Sequence, residues 1–583
     1  MGDKKASEQD LMERKLKGDL KTQSGYDVKD VYGPEDIADI DYKRDIGSPG
    51  AYPFLRGTYP RMYREKLWVR GVPAGNIAYA TDKGKTRDDE CDEMFESGLI
   101  TSGLRISGDL HNMATVDPDH PLVGYDIDSC MGASYSIWPY LHGAMSWWAN
   151  EILVRSVTEG FVVELGHAVG PPDVCDFTMY LAILDALGYD YTKIRGNMVN
   201  DPLHVYIIGS VQYKQPLEVA FKVCMDAMEW SAKNMPNFRP TSGGCGYDLR
   251  ESGLDAVQEL AFRFGEYIEY TDELVRRGIK FEDWGHRPAM AFSGEIDFFE
   301  TICKLRAARR MYAKIATERY GADPKTLRCP PCNINEAGDS MTSQQPVLNI
   351  VRATIEAMAG VLGGVNGMEM TSYTEAMTAP PIEAQVINRG IEAIIAEEAN
   401  IPLTADPLGG SYYVEWLTNK IEQDATAYLQ KILDMGGMMA AIKTGWPQGE
   451  VEKAAVERQR EIEEKRKIKV CVNAYQSLND YPIELPMLPA DRGRLFDPYS
   501  TKQKVVLGEY EKFKQTRDMS KVKVALESLH RVAKGGENVI PAMVEAWKAY
   551  ASIGEVMGVI RVGMGFPYDQ FEMVSLPDFL ELN

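Results

Sequence analysis

A parallel α/β fold, in its simplest form a (β/α)8 TIM barrel with an N-terminal arm and a C-terminal helical extension, is what the sequence predicts. Three observations lead there. From about residue 50 to residue 400, short apolar or small-residue runs alternate with longer stretches whose apolar residues recur at three and four. Six such units can be counted in this one stretch, which favours a barrel over the second reading, a doubly wound open sheet. Beyond residue 410 the patterns are helical, apart from one proline-bearing segment.

Residues 1–45 are polar and charged without a sustained apolar stripe, and read as an arm suited to embracing a partner. The opening MGDKKASEQDLMERKLKGDLK lacks the apolar centre of a signal peptide, and Ala6 stands where a myristoylation start needs Ser or Thr. No apolar run is long enough to cross a bilayer, so the expectation is a cytoplasmic protein with no membrane role. The barrel is expected over 46–420. Its candidate strands are GLRISGDL (103–110), GFVVELG (160–166), FRPTSGGCGY (238–247), PAMAFSG (288–294), TLRCPPCNI (326–334) and GMEMTSY (367–373). Several carry Gly, Ser, Thr and Cys where barrel strands normally carry bulky branched residues, which would leave the axis partly open to a long, thin ligand. Helical patterns run over 218–235 and 298–321, the second stopping at Gly321. The extension, 421–583, contains helical patterns at 425–435 and 451–467, the latter with dense mixed charge that reads as a solvated face. A linker or wrapping segment follows over 478–505, then the last helices.

The formal net charge of −22 opposes contact with polyphosphate backbones and argues against a nucleic-acid partner. The nine scattered cysteines read as reduced core residues. Cys329 and Cys332 form a CPPC motif, but no second pair of cysteines or histidines lies at zinc-ligand spacing, so packed thiols are the simpler reading than a redox pair or half a metal site.

Several segments, taken in order, carry a resemblance. PFLRGTYPRMYREKLW (53–68), DPDHPLVGYDID (117–128), KLRAARRMYA (304–313), TIEAMAGVLGG (354–364), TEAMTAPP (374–381) and DPLGGSYYVEWLT (406–418) resemble the methylmalonyl-CoA mutase family over roughly residues 50–475 and again in the last helices. The resemblance implies the large, catalytic subunit of an adenosylcobalamin-dependent acyl-CoA mutase, in which cobalt–carbon homolysis starts a radical 1,2-rearrangement of a CoA thioester. Family members that hold the cofactor on one chain carry a C-terminal flavodoxin-like domain with DxHxxG. This chain ends soon after the helices that precede that domain, so a separate small B12-binding subunit is implied, in an assembly of two large and two small chains. A near miss, DxHxxA at Asp109–Ala114, falls on an early strand and lacks the final glycine, so His111 is rejected as cobalt ligand.

Carried over position by position, the resemblance makes Tyr59 the tyrosine that approaches the substrate, and sets Lys66 and Arg56 toward the CoA phosphates. Leu110, Glu251, Asn335, Gly338, Glu375 and Ala376 match positions that meet the cofactor, the glutamates being suited to ribose hydroxyls. Tyr247 is retained beside the reacting centre. Four positions depart from the methylmalonyl pattern: Gly209 replaces the arginine that pairs with a free carboxylate, Val199 replaces a glutamine, Asp248 replaces the thioester-binding histidine, and Pro73 (or Val72, with a small gap) replaces a tyrosine. Losing that arginine leaves a dicarboxylate's charge unpaired, which disfavours methylmalonyl-CoA unless Arg250 or Arg195 takes over. Asp248 cannot donate to a thioester oxygen while ionised, so it is either protonated by burial or accepts from a substrate hydroxyl or amine, the latter pointing to a substituted, branched acyl group; Pro73 makes room for a bulky alkyl or aryl one. Three other readings stand beside this one: a catalytically silent relative that stabilises a partner mutase, a methylmalonyl-CoA mutase with a rearranged carboxylate site, and a cobalamin-independent barrel enzyme that shares only the scaffold.

Overall fold

The computed structural model describes residues 21–70, the strands at 103–106 and 162–165, and residues 171–476 and 515–582 except for 189, 195, 199, 209–214, 242–245, 378–381 and 516. Its strands are β1 (Val69–Arg70), β2 (Gly103–Ile106), β3 (Val162–Leu165), β4 (Gly196–Met198), β5 (Phe238–Arg239), β6 (Met290–Gly294), β7 (Cys332–Glu336) and β8 (Gly367–Glu369). All ladders between them are parallel, which confirms the α/β class. Among the described residues the pairing gives two four-stranded sheets, β2-β3-β4-β5 and β1-β8-β7-β6, and the expected closed ring is not seen. Each expected strand overlaps an observed one, with β7 starting later and ending two residues beyond its expected bounds. Pro240 follows β5 and Pro330–Pro331 precede β7, and proline has no N–H for a ladder.

By contacts the chain divides into two compact units that interleave in sequence. One comprises Met1–Gly71, Cys245–Glu269 and Ala289–Pro486; the other comprises Val72–Gly244, Tyr270–Pro288 and Met487–Asn583. The second unit contains the β2–β5 sheet, the helices Pro171–Leu187 and Leu217–Asn234, and the C-terminal helices Met519–Gly535, Ile540–Lys548 and Ile553–Gly563. These helices share one apolar core containing Phe177, Phe238, Leu526, Trp547 and Met557. Trp547 is buried because its indole N–H finds Thr178 Oγ1 at 2.8 Å. Ser552 and Glu555 start the last helix with a capping box.

The first unit holds the candidate site. On its sheet, Ile334 and Met368 face the helix Leu348–Gly363, where Gly360 lets Ile334 approach so closely that any Cβ would collide with it. Strand alternation then puts Ala291, Asn333, Asn335 and Glu369 on the other face, and all four are partly open to solvent. The helix Phe298–Lys314 begins at Asp297, whose side chain accepts from the Glu300 N–H. Its arginines are buried because each has its partners. Arg306 pairs with Asp406 and with Glu415 (2.5 Å), Arg309 donates to the carbonyls of Phe54 and Leu55 (both 3.0 Å), and Arg310 pairs with Glu422. The motifs KLRAARRMYA, PFLRGTYPRMYREKLW and DPLGGSYYVEWLT are thus three sides of one packing arrangement.

The described part of the arm docks on its own chain. Ser24 gives its N–H and hydroxyl to Glu300, Tyr26 donates to Asp424, and Tyr32 packs on Tyr413 and Trp416. Among the described residues no helix is long and apolar enough to cross a membrane. Cys329 and Cys332 are free thiols, both pushed up by burial.

Candidate active site

The C-terminal ends of β6, β7 and β8 converge on one turn. The short helix Gly246–Glu251 brings Tyr247, Asp248 and Glu251; β6 runs into Glu295; β7 runs into the turn Gly338–Ser340; β8 runs toward Glu375. Gly338 is the centre. A Cβ placed there would lie 2.6 Å from Tyr247 Oη and 3.6 Å from both Glu251 Oε2 and Glu375 Cγ. The φ of Gly338 is not in the left-handed region, so glycine is needed here for space and not for backbone conformation. Glu251 Oε1 accepts the Asp339 N–H at 3.2 Å, and Asn335 donates to Glu369 Oε2 at 3.1 Å along the open sheet face. Ala376 sits exposed beside Glu375 in the turn after β8.

Charge below this cluster is dense and largely matched. Glu295 accepts from Arg250 Nε (3.3 Å), from Ser293 Oγ (3.0 Å) and from the arm's Gln23 (3.3 Å). Burial would raise its carboxyl, but Arg250, Arg458 and Lys304 outweigh burial and hold it well below the usual carboxylate range. Glu251 goes the other way. Burial first, then Asp339 and Glu295, push it up to about 8, so it keeps its proton at neutral pH. Glu375 is exposed in the wall of the turn. One oxygen each of Glu251, Glu295 and Asp339 lies within 4.8 Å of the others. Arg250 already pairs with Glu295, and Arg458 and Lys469 with Asp339, so two of the three carboxyl groups belong to an ion-pair network.

The remaining sequence-predicted residues are placed elsewhere. Arg250 is 1% exposed and committed to Glu295 and to the carbonyl of Leu254 (2.8 Å), so it is no open receptor for a substrate carboxylate. Arg56 gives Nε to Asp406 (3.0 Å) and Nη1 to Tyr42 (3.1 Å). Tyr59 is half-buried and donates to the Lys66 carbonyl at 2.6 Å; burial, then Glu65, push its phenol up to about 12. Lys66 is exposed. This segment lies against the opposite, N-terminal ends of the strands, where Thr58 meets Asn366 (2.8 Å) just before β8. Pro73, Leu110, His111, Arg195, Val199 and Gly209 lie outside the described residues.

Sequence reading missed Glu295, Asp339, Arg458 and Lys469. Glu295 and Asp339 each follow a strand end, which is the position where α/β enzymes gather their polar groups. Arg458 stands on the helix Trp446–Glu463, which has the expected solvated face; its other side carries Val451, Ala454 and Arg458, and the Ala455 backbone lies against Gly253.

Comparison with known proteins supplies first the class: residues 21–566 match the pattern of the methylmalonyl-CoA mutases, which are isomerases. The chain belongs to the methylmalonyl-CoA mutase family. It is 29% identical over 542 residues to the 2-hydroxyisobutanoyl-CoA mutase large subunit of Aquincola tertiaricarbonis, a match covering 93% of this chain and 91% of that one. It is 30% identical over 548 residues to the methylmalonyl-CoA mutase of Rhizobium meliloti (strain 1021), covering 93% and 72%. With the mitochondrial methylmalonyl-CoA mutase of Homo sapiens it shares 28% identity over 576 residues, covering 97% and 72%.

Proposed function

We propose that this chain is the large subunit of an adenosylcobalamin-dependent acyl-CoA mutase that rearranges a hydroxylated, branched acyl-CoA, with cobalt ligated through a separate small subunit. The observation that carries the reading is the open, small and polar sheet face of Ala291, Asn333, Asn335 and Glu369, which ends at the Tyr247, Glu251 and Glu375 cluster. A filled barrel would bury such a face under bulky side chains. The reading takes the eight strands as one closed barrel, supported by the parallel pairing of the first strand, β1, with the last, β8, as ring closure requires. Arg56, Tyr59 and Lys66 stand at one end of β7 and Tyr247 at the other, about 16 Å apart at ~3.3 Å per residue over its five residues. An extended CoA thioester laid along the strands spans that distance.

The residues fit the cofactor at Gly338. Bare backbone at Gly338, where Tyr247 Oη already occupies the place of a side chain, is flanked by two carboxyl groups able to meet ribose hydroxyls. When bound, adenosylcobalamin supplies a homolysable cobalt–carbon bond and with it the radical chemistry. Those steps need no strong acid or base, so this chain's residues orient and shield. Glu251, protonated at neutral pH, both donates and accepts; Tyr247 walls the reacting centre; Asp248 accepts from a substrate hydroxyl. Support for the hydroxyl comes from Asp248 itself and from the similarity to a protein named for 2-hydroxyisobutanoyl-CoA. That relative's name, a large subunit matched along 91% of its length, also supports a small-subunit partner, and family analogy supports two chains of each. Cytoplasmic location is part of the same proposal.

The test mixes the purified chain with a small DxHxxG cobalamin protein, adenosylcobalamin and a panel of acyl-CoAs, and reads isomerised thioester by mass spectrometry. Rearrangement of hydroxylated substrates, with methylmalonyl-CoA inert, is expected. No product from any member of the panel defeats the proposal in favour of a silent, partner-stabilising relative. Turnover of methylmalonyl-CoA defeats the substrate assignment.

A further inference from the structure

Arg458 lies outside every motif that carries the family resemblance, yet it bridges the two walls of the site. Its Nη1 donates to the Arg250 carbonyl at 2.7 Å, at the end of the short helix that carries Tyr247, Asp248 and Glu251. Its Nη2 pairs with the Asp339 carboxylate, in the turn that carries Gly338, and stands 3.8 Å from Glu295. Lys469, eleven residues on, donates to the Asp339 carbonyl from a segment braced by Asn473, whose amide reaches the carbonyls of Ile462 (2.9 Å) and Lys467 (2.8 Å). The turn is fixed from its other side by Ser340 Oγ, which donates to Glu356 at 2.5 Å.

We propose that Arg458 is a positioning residue, a brace that sets the gap between Tyr247 on its helix and Gly338 on its turn. A planar guanidinium is suited to fixing a carbonyl and a carboxylate relative to one another, because its N–H groups fork in set directions, whereas an ammonium on a flexible stem can reach both but sets their separation less firmly. The Tyr247 hydroxyl already meets Gly338 with no room to spare, so a turn displaced by a few tenths of an ångström changes what Tyr247 and Glu251 present. Arg458 itself does not line the open sheet face, and its substitution is expected to act on the rate of the bound state more than on acyl-CoA binding. This inference rests on the mutase reading for its kinetic arm only.

The experiment compares the full-length wild type, Arg458→Ala, Arg458→Lys, Asp339→Asn and the Arg458→Ala/Asp339→Asn double variant. Amide hydrogen exchange is followed over residues 246–251 and 338–341, and kcat and KM are measured with the small subunit present. Arg458→Ala is expected to exchange faster in both segments and to lose on the order of 10- to 100-fold in kcat with little change in KM. Arg458→Lys should recover part of each, and the double variant should lose no more than the worse single one, since both remove the same link. Unchanged exchange, additive losses, or a raised KM at unchanged kcat would overturn the brace. Failure of all chains, wild type included, to turn over any acyl-CoA defeats the mutase reading and leaves the exchange result to decide the brace alone.

Discussion

Replacing Gly338 with alanine adds one methyl group at the point where three site residues meet. The added Cβ would stand 2.6 Å from Tyr247 Oη, about 0.8 Å inside an ordinary carbon–oxygen contact, while its next neighbours at 3.6 Å are undisturbed. Gly338 does not have a left-handed φ, so alanine suffers no backbone strain and the clash is isolated. The atom in the way is the tip of a side chain, and the ring of Tyr247 can swing aside. Overpacking of a closed core costs about 1–3 kcal/mol, and a movable tip keeps this variant at the lower edge of that range. In a chain of this size that is a melting shift of about 2–4 °C or less. The function suffers more, because a tyrosine displaced by about 1 Å costs on the order of 100-fold in turnover. The assay pairs calorimetry with kcat for Gly338→Ala, Tyr247→Phe and the double variant. Without the hydroxyl the methyl group has room, so the double variant should be no slower than Tyr247→Phe alone and should melt like it. Wild-type turnover in Gly338→Ala, or a double variant whose losses multiply, would refute the placement of Tyr247 against this turn.

Three further outcomes follow from the same cluster. Asp248→Ala should lose about 100-fold or more in turnover with melting unchanged, since the turn of its helix is held by its carbonyl, which accepts from Ser252; turnover at the wild-type rate would remove Asp248 from the site. Glu251 has a folded pKa near 8, raised above its unfolded value near 4.5, so its contribution to stability is present below pH ~4.5 and fades as the pH climbs to about 8. Glu251→Gln should therefore flatten the decline of melting temperature with pH across that window, and parallel curves for the two proteins would contradict the shift. Glu356 is fully buried, accepts from Ser340, and is pushed well above the usual range by burial and by Glu336. As a neutral acid it should tolerate Glu356→Gln within about 1 kcal/mol in denaturant unfolding, whereas an ionised, paired carboxylate would lose ~3–5 kcal/mol.

Much of this architecture was legible because the strands and helices of the α/β pattern obey local rules. The stop at Gly321 is a positive-φ residue after a helix whose start is an aspartate cap, and both signals stand in the sequence. β1 and β4 escaped notice for a physical reason: two or three residues show no period. The meeting of Tyr247, Glu251 and Glu375 at Gly338 was reachable only through the family resemblance, since nothing local ties residue 247 to residue 375. Arg458 was within reach of a simpler rule. Val451, Ala454 and Arg458 recur at three and four, an inward stripe that charge density on the rest of the helix concealed.

The distribution of charge around the site supports a division of labour. A mutase that moves a carbon group by radical steps asks its protein for fixed geometry and exclusion of water, with little demand for proton transfer. Glu295, held ionised by Arg250, Arg458 and Lys304, is suited to fixing geometry, because a buried, fully partnered carboxylate has one good arrangement and resists distortion. Glu251 is pushed the other way and keeps its proton at neutral pH, so it can donate and accept hydrogen bonds without adding charge beside the reacting groups, while burial also raises Glu336 and Glu356 on the helix side of the sheet. The carboxyl groups around the turn thus divide into ions that hold the frame and a neutral acid that borders the site. Arg458 joins the two sets, because the guanidinium that anchors Glu295 and Asp339 also fixes the helix end that presents Glu251.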